Sequence, residues 1–295
     1  MLVLNEFLTK AGLEPKTVAV MLHTPSTPKL RRLLPWLARA RRDVFEAYQS
    51  SHGKPATATL RNRAFVASFV GLGDGTLVLA GVYRNLGVRE RAMSESMADK
   101  VVAELVADFG VTYETGGMAP ATWLWFDLQR TELLGEYVGR LRIAPRLTQA
   151  YVRLAENFPG EIVAVERASL LDAAPPDWRD MTLSASELRV SEKPVLPESW
   201  AVLLRGWRGI YLIVDESDGK RYVGAAYGKE NLLGRWRAHI AGEHGVTKEL
   251  GTRKTDGFRF SILEVLRHDE AAEEVIRREQ SWMNRLHTRQ FGLNA

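Results

Sequence analysis

A proline-studded stretch divides the 295-residue chain and limits what either side of it can become. Pro175, Pro176, Pro194 and Pro197 fall between Ala173 and Ser199, with Ser184, Ser186 and Ser191 among them. Proline fixes φ and removes a backbone donor, so such a run favours extended or turning chain. The sequence therefore reads as two domains, residues 1–172 and 200–295, joined by a connection over 173–199. Ser184 followed by Glu187 has capping-box spacing, which predicts one helical turn inside the connection.

Each flank is long enough to bury a core, and 45% apolar with 26% charged residues is ordinary globular composition. No cysteine is present, which excludes disulfides, thiolate metal sites and cysteine nucleophiles. Six histidines supply a histidine-only metal cluster thinly. No apolar run approaches the roughly 20 residues that cross a bilayer. Met1 to Gly12 carries Glu6 and Lys10 and lacks a cationic start, which argues against a signal peptide. No membrane association and a cytoplasmic address are the expectations by elimination. Forty Lys and Arg against 36 Asp and Glu give a net charge of +4, compatible with a polyanionic partner but too small to require one.

The first flank mixes helix and strand. Leu30, Leu33, Leu34, Leu37, Val44, Phe45 and Tyr48 predict a helix over Lys29 to Tyr48, with Pro35 as an interruption. Lys29, Arg31, Arg32, Arg39, Arg41 and Arg42 precede its first acid, Asp43, and suggest a DNA-facing element, although arginine stems also cover apolar surface. Gly73-Asp74-Gly75 joins two strand-like runs, Arg63 to Gly71 and Thr76 to Tyr83. Thr122 to Leu128, Tyr137 to Ile143 and Glu161 to Arg167 are further strand candidates. Short strands with few helices point to a mixed α/β, barrel-like domain. Trp123, Trp125 and Phe126 are either a base-stacking wall or, by their alternation, largely core.

The last hundred residues read as an α+β unit. Gly209 to Val214 and Arg221 to Ala226 pair around the turn residues Glu216 to Lys220, a helix follows over Leu232 to Ala241, and Phe258 to Leu266 is a third strand. Ala271 to His287 is a well-patterned helix. Glu279 shares a face with Val275, Trp282 and Leu286, and a carboxylate there is costly unless salt-bridged or metal-bound. Arg235 and His239 are i and i+4 on the preceding helix and project from one side.

Gly209-Ile210-Tyr211, Tyr222-Val223-Gly224, Arg235 in Gly-Arg-Trp, His239, Glu279 and Asn294 occur in order at compact spacing. This series resembles the GIY-YIG nuclease family, and the resemblance spans Arg208 to Ala295. It implies a three-stranded antiparallel sheet flanked by helices and a metal-dependent endonuclease. It also implies roles: Glu279 as the ligand of Mg²⁺ or Mn²⁺, Arg235 on the scissile phosphate, and Tyr211 as general base or water-orienting group. Tyr222 would bond near the attacking water, His239 would assist proton transfer, and Asn294 would orient its neighbours. Tyr-Val-Gly stands where the family has Tyr-Ile-Gly. Asn294 is penultimate, in a tail that could fray.

Family members commonly join this module to a targeting domain, so residues 1–172 are expected to bind DNA, recognise a modified base or mediate assembly. Lys220, Arg221, Lys229, Arg237, Lys248, Arg253 and Lys254 are candidates for phosphate-backbone contacts. The expected partner is double-stranded DNA in restriction or repair; RNA, or a catalytically silent binding protein, are the alternatives. One centre cuts one strand at a time, so a double-strand break implies a homodimer or two visits.

Overall fold

A computed structural model describes residues 2–52, 54–113, 121–145, 150–158, 160–173, 175–190, 195–228, 230–242 and 248–294, without the side chains of residues 54, 55, 248 and 249. The chain forms two compact units, Met1–Ala173 and Ala174–Ala295. Both mix helices with sheet, an α+β architecture.

The first unit contains α1 (Leu4–Lys10), β1 (Val18–His23), α2 (Pro28–Ala40), α3 (Arg42–Ser50), β2 (Ser51–His52), α4 (Lys54–Leu60), β3 (Phe65–Gly71), β4 (Leu77–Ala92), α5 (Met93–Ala98), α6 (Lys100–Ala107), β5 (Thr122–Arg130), β6 (Leu141–Ile143), β7 (Val152–Leu154) and β8 (Ile162–Val165). Its sheet runs β2-β5-β4-β3-β1-β7, with β6 pairing β4 and β8 pairing β6. β1 pairs parallel to β3, and every residue of β1 is buried. A strand covered on both faces shows no alternation, which is why Val18 to His23 carries no period-two signal. The sheet curls far enough that His52 of β2 meets Tyr151, next to β7 at the other end of the strand order.

The predicted helix over Lys29 to Tyr48 is two helices, and the break is at Arg41 rather than Pro35. Arg41 leaves helical geometry (φ −130°, ψ 61°) and buries its guanidinium against Asp43 and Glu104. Bidentate pairing to Glu104 at 2.6 and 2.7 Å holds that turn. Arg41 therefore faces inward, and Arg31 donates to the Pro25 and Ser26 carbonyls, so the helix is less openly basic than its sequence. Phe126 is buried, while Trp123 and Trp125 are half-buried.

The second unit contains β9 (Thr182–Ser184), α7 (Ala185–Leu188), α8 (Glu198–Gly206), β10 (Arg208–Asp215), β11 (Arg221–Ala226), α9 (Asn231–Ala241), α10 (Lys248–Gly251), β12 (Phe258–Leu266), α11 (Ala272–Arg285) and α12 (Thr288–Phe291). Its antiparallel sheet runs β11-β10-β12-β9. The three expected strands form, and a fourth comes from the proline-bearing stretch. Buried Met181, Leu183, Ala185 and Leu188 draw that segment onto β12, and the Ser184–Glu187 capping box forms as its spacing predicted. Ser191 and Pro194 lie outside the described residues.

The two faces of this sheet differ. Ile210, Val223, Leu266 and Val275 form one core with Trp282 and Leu286, placing α11 on that face. On the other, the Tyr211 ring lies edge-on to Trp236 of α9, and Trp236 tilts against Phe260. Tyrosines and α9 therefore occupy one side of β10 and β11, Glu279 the helix on the other.

Candidate active site

Two glycines set the tyrosines. The register between β10 and β12 shifts between Ile210 and Tyr211, leaving Leu263 without an opposite residue. At this bulge a Cβ on Gly209 would stand 2.4 Å from the Glu264 carbonyl oxygen, so only glycine fits. Across the sheet Tyr211 pairs with Gly224, where a Cβ would stand 2.3 Å from the Tyr211 hydroxyl. The first letter of one motif is thus a steric requirement of the Glu264 carbonyl, and the last letter of the other a requirement of Tyr211.

Tyr211 is fully buried, and its hydroxyl lies 2.6 Å from His239 Nε2. Tyr222 stands beside both, with ring centroids 6.5 Å from Tyr211 and 5.4 Å from His239. Arg235 donates to both tyrosine hydroxyls. The Tyr211 oxygen accepts from Arg235, and the direction of its bond with His239 Nε2 is set by the imidazole tautomer. Burial, aided by the Arg235 charge, pushes His239 down to about 3, so the imidazole is neutral and able to accept. Its Nδ1 is buried with no partner among the described residues.

Burial raises the Tyr211 and Tyr222 hydroxyls above the ordinary phenol value, and Arg235 pulls both back. Arg235 itself loses solvation, yet the two tyrosines raise it above its ordinary value. Burial likewise raises the Glu279 carboxyl, against the opposing Ala225 backbone N–H, Arg235 and Arg289. Glu279 is thus neither locked in a tight ion pair nor fully solvated.

Tyr222, Ala225 and Ala226 of β11, Arg235 of α9 and Glu279 of α11 line one open cleft of about 560 Å³ at the β11 edge. Tyr211 and His239 stand behind Tyr222, not on the cleft wall. Five of the six expected residues are therefore brought together. Asn294 acts differently: its Oδ1 accepts from Val223 N–H at 2.9 Å, and its Nδ2 donates to Val223 O at 2.8 Å. The side-chain amide mimics a neighbouring strand on the β11 edge, next to Tyr222. Leu293 N–H donates to Arg221 O at 2.8 Å, so the tail is anchored rather than frayed.

The cleft also holds Tyr227, Glu230 and Asn231, which no sequence motif singled out. Asn231 opens α9 at φ +46°, a conformation asparagine tolerates, and donates to Arg205 O. Its Oδ1 is buried without a partner among the described residues. Glu230 and Glu279 make the lining oxygen-rich, while no group of three or more His, Cys, Asp or Glu side chains is poised for a metal among the described residues. A hard divalent ion that keeps most of its waters fits such a sparse set.

The basic candidates scatter. Lys220, Arg221 and Lys254 are exposed. Arg253 is engaged by Asp215 at 2.6 Å and Asp218 at 2.9 Å. Arg237 donates to Leu188 O and lines a groove that continues from the cleft through Glu230, Gly234 and Ala238. Lys229 and the Lys248 side chain lie outside the described residues.

A guanidinium bonded to two tyrosine hydroxyls shares this open cleft with a carboxylate, a set that can grip an anion and hold a hard cation beside it. Residues 208–294 match the family model described as the GIY-YIG catalytic domain, and the C-terminal unit is a GIY-YIG nuclease domain. Two solved structures are similar over 30% of this chain: the catalytic domain of the homing endonuclease I-TevI, at 28% identity over 96% of that chain with TM-score 0.25, and a point mutant of the same intron endonuclease domain, at 28% identity over 92% with TM-score 0.26. No curated protein matches. Among the described residues no helix is long and apolar enough to cross a membrane.

Proposed function

We propose that the protein is a metal-dependent endonuclease that hydrolyses DNA phosphodiester bonds, with the first unit selecting the target. The observation that carries this reading is the convergence of Tyr222, Arg235 and Glu279 on one cleft, with the Tyr211–His239 hydrogen bond behind it. Arg235 offers a planar donor fork to the scissile phosphate and offsets the charge that grows on its oxygens. The Tyr222 hydroxyl orients the attacking water. Tyr211, its hydroxyl tied to His239 Nε2, positions Arg235 and Tyr222 about that water, whose proton leaves to solvent through the open cleft. The new P–O bond forms as the ester P–O bond breaks, and the departing oxygen takes a proton from solvent.

Glu279, with Glu230 in the same cleft, would hold Mg²⁺ or Mn²⁺, which supplies Lewis-acid stabilisation of the phosphate and leaving oxygen when bound. A role in restriction or repair follows from a nuclease joined to a separate recognition unit, and paired cuts across a duplex would use two copies of the chain.

The test is incubation of the full chain with supercoiled plasmid and with structured RNA, each in Mg²⁺ and in EDTA. Nicking of plasmid in Mg²⁺ only is expected. Cleavage of RNA with intact plasmid would move the substrate to RNA, and DNA retention without any cleavage would make the protein a binding module.

A further inference from the structure

In the first unit, the later half of β4 and the start of β5 carry a pocket that the cleft chemistry does not use. Register sets Arg89 opposite Trp125 and Arg91 opposite Trp123. Residues directly opposed in an antiparallel pair share a face, as do residues two apart on one strand, so Asp127 joins these four. Between Asn85 and Val88 the register shifts, and Leu86 and Gly87 bulge out of β4 beside Asp127. Leu86, Gly87, Val88, Arg89, Trp125 and Asp127 line a pocket of about 340 Å³ at this bulge. Solvent reaches all six: Leu86, Gly87, Arg89 and Asp127 are exposed, and Val88 and Trp125 are half-buried.

Trp125 is already engaged from one direction. Arg91 is buried, paired to Glu95 at 3.2 Å and Asp99 at 3.1 Å, and its guanidinium carbon lies 4.9 Å from the Trp125 ring centroid. Along the strands Arg91 lies to one side of Trp125 and the bulge to the other, and Arg91 does not line the pocket. The ring's attraction for a cation is thus spent on Arg91, and its pocket side is suited to a flat ring instead. Arg89 and Asp127 bring opposite charges to the same pocket, yet neither enters an ion pair among the described residues. An aromatic surface, a guanidinium and a carboxylate are offered together to one ligand.

We propose that this pocket binds an unpaired guanine nucleotide, with the base stacked on Trp125, its pairing edge on Asp127 and its phosphate on Arg89. An ionised carboxylate only accepts hydrogen bonds, and its two oxygens stand side by side. Guanine matches them with N1–H beside its amino group. Cytosine and adenine set their amino group next to a ring nitrogen that is itself an acceptor, and thymine and uracil flank one N–H with two carbonyls. In a duplex the guanine N1–H is bonded to cytosine, so the base must be unpaired or turned out of the stack. The volume lies at the small end of ligand sites, which suits a single nucleotide. The proposal rests on the reading of the first unit as the part that selects the target.

Fluorescence polarisation in EDTA, where cleavage plays no part, follows binding of labelled thymine octamers, with and without one central guanine, to the full chain. The guanine octamer should bind about tenfold tighter. Asp127→Asn, at an exposed position, replaces one acceptor by a donor and should bring the two octamers within about twofold. Arg89→Ala should weaken both alike, and Trp125→Ala should weaken the guanine octamer by about tenfold. Separate arms use the four nucleoside monophosphates, and duplexes with and without one G·C pair, which should bind equally. Preference for guanosine monophosphate without octamer discrimination assigns a free nucleotide, and octamer discrimination without it assigns a strand; either upholds the site. No guanine preference in either form, a preference that survives Asp127→Asn, or an equal preference for the paired guanine overturns it. Lost preference beside normal plasmid nicking strikes this site alone, and preference without nicking strikes the nuclease reading alone.

Discussion

Replacing Asn294 by alanine separates an anchoring residue from a catalytic one. The substitution strands the N–H and C=O of Val223, a fully buried residue, at the two positions where the amide now bonds at 2.9 and 2.8 Å. At roughly 1–3 kcal/mol for each stranded group, with some relief from water at this edge, the cost is about 2–4 kcal/mol. Asn294→Asp keeps the acceptor for Val223 N–H but sets an oxygen against Val223 O, so it should cost at least as much. Amide hydrogen exchange reads the effect locally: Val223 N–H should lose protection along with the rest of β11, while the first unit keeps its own. Cleavage should fall in step with the fraction of folded second unit and no further. Full protection at Val223 in Asn294→Ala, together with abolished cleavage, would refute the anchoring account and place Asn294 against substrate.

Gly224→Ala should destabilise by about 1–3 kcal/mol and abolish cleavage by driving its Cβ into the Tyr211 hydroxyl, whereas Gly206→Ala, with open space around the added carbon, should be silent in thermal melts and in nicking assays. His23 at about 3, His52 at about 4 and His239 at about 3 stay neutral in the native state, while unfolded histidine protonates near 6.5. Their contribution is therefore complete above that value and is lost as the pH falls below it, by up to about 1.4 kcal/mol per pH unit each; melting temperatures unchanged between about pH 7 and about pH 5 would contradict this. Arg278→Ala removes the ion pairs from α11 to Glu264, Glu270 and Glu274 and should lower the cleavage rate through the position of Glu279, with at most about 1 kcal/mol of stability lost at these partly exposed pairs.

The second unit was legible because its constraints are local. Gly209 is fixed by the Glu264 carbonyl and Gly224 by the Tyr211 ring, the Glu216 to Lys220 turn by its own side chains, and α11 by a clean apolar stripe. Glu230 and Asn231 escaped notice because nothing in their spacing distinguishes them from a helix start; only the three-dimensional cleft brings them beside Glu279. Asn294 was recognised by its place in the series, but its partner, Val223, is 71 residues away and invisible to pattern. In the first unit β1 lies inside the sheet between β3 and β7, where burial on both faces erases alternation, and the helix break at Arg41 depends on Glu104, a partner 63 residues on.

The central claim is that one cleft, with Glu279 facing Tyr222 and Arg235, performs hydrolysis of a phosphodiester. Initial rates of plasmid relaxation in Mg²⁺, measured beside DNA retention for the unaltered chain and for Glu279→Gln, examine it at the atom in question. Retained DNA with relaxation lost in Glu279→Gln is the expected result. Undiminished relaxation by that variant would contradict the account.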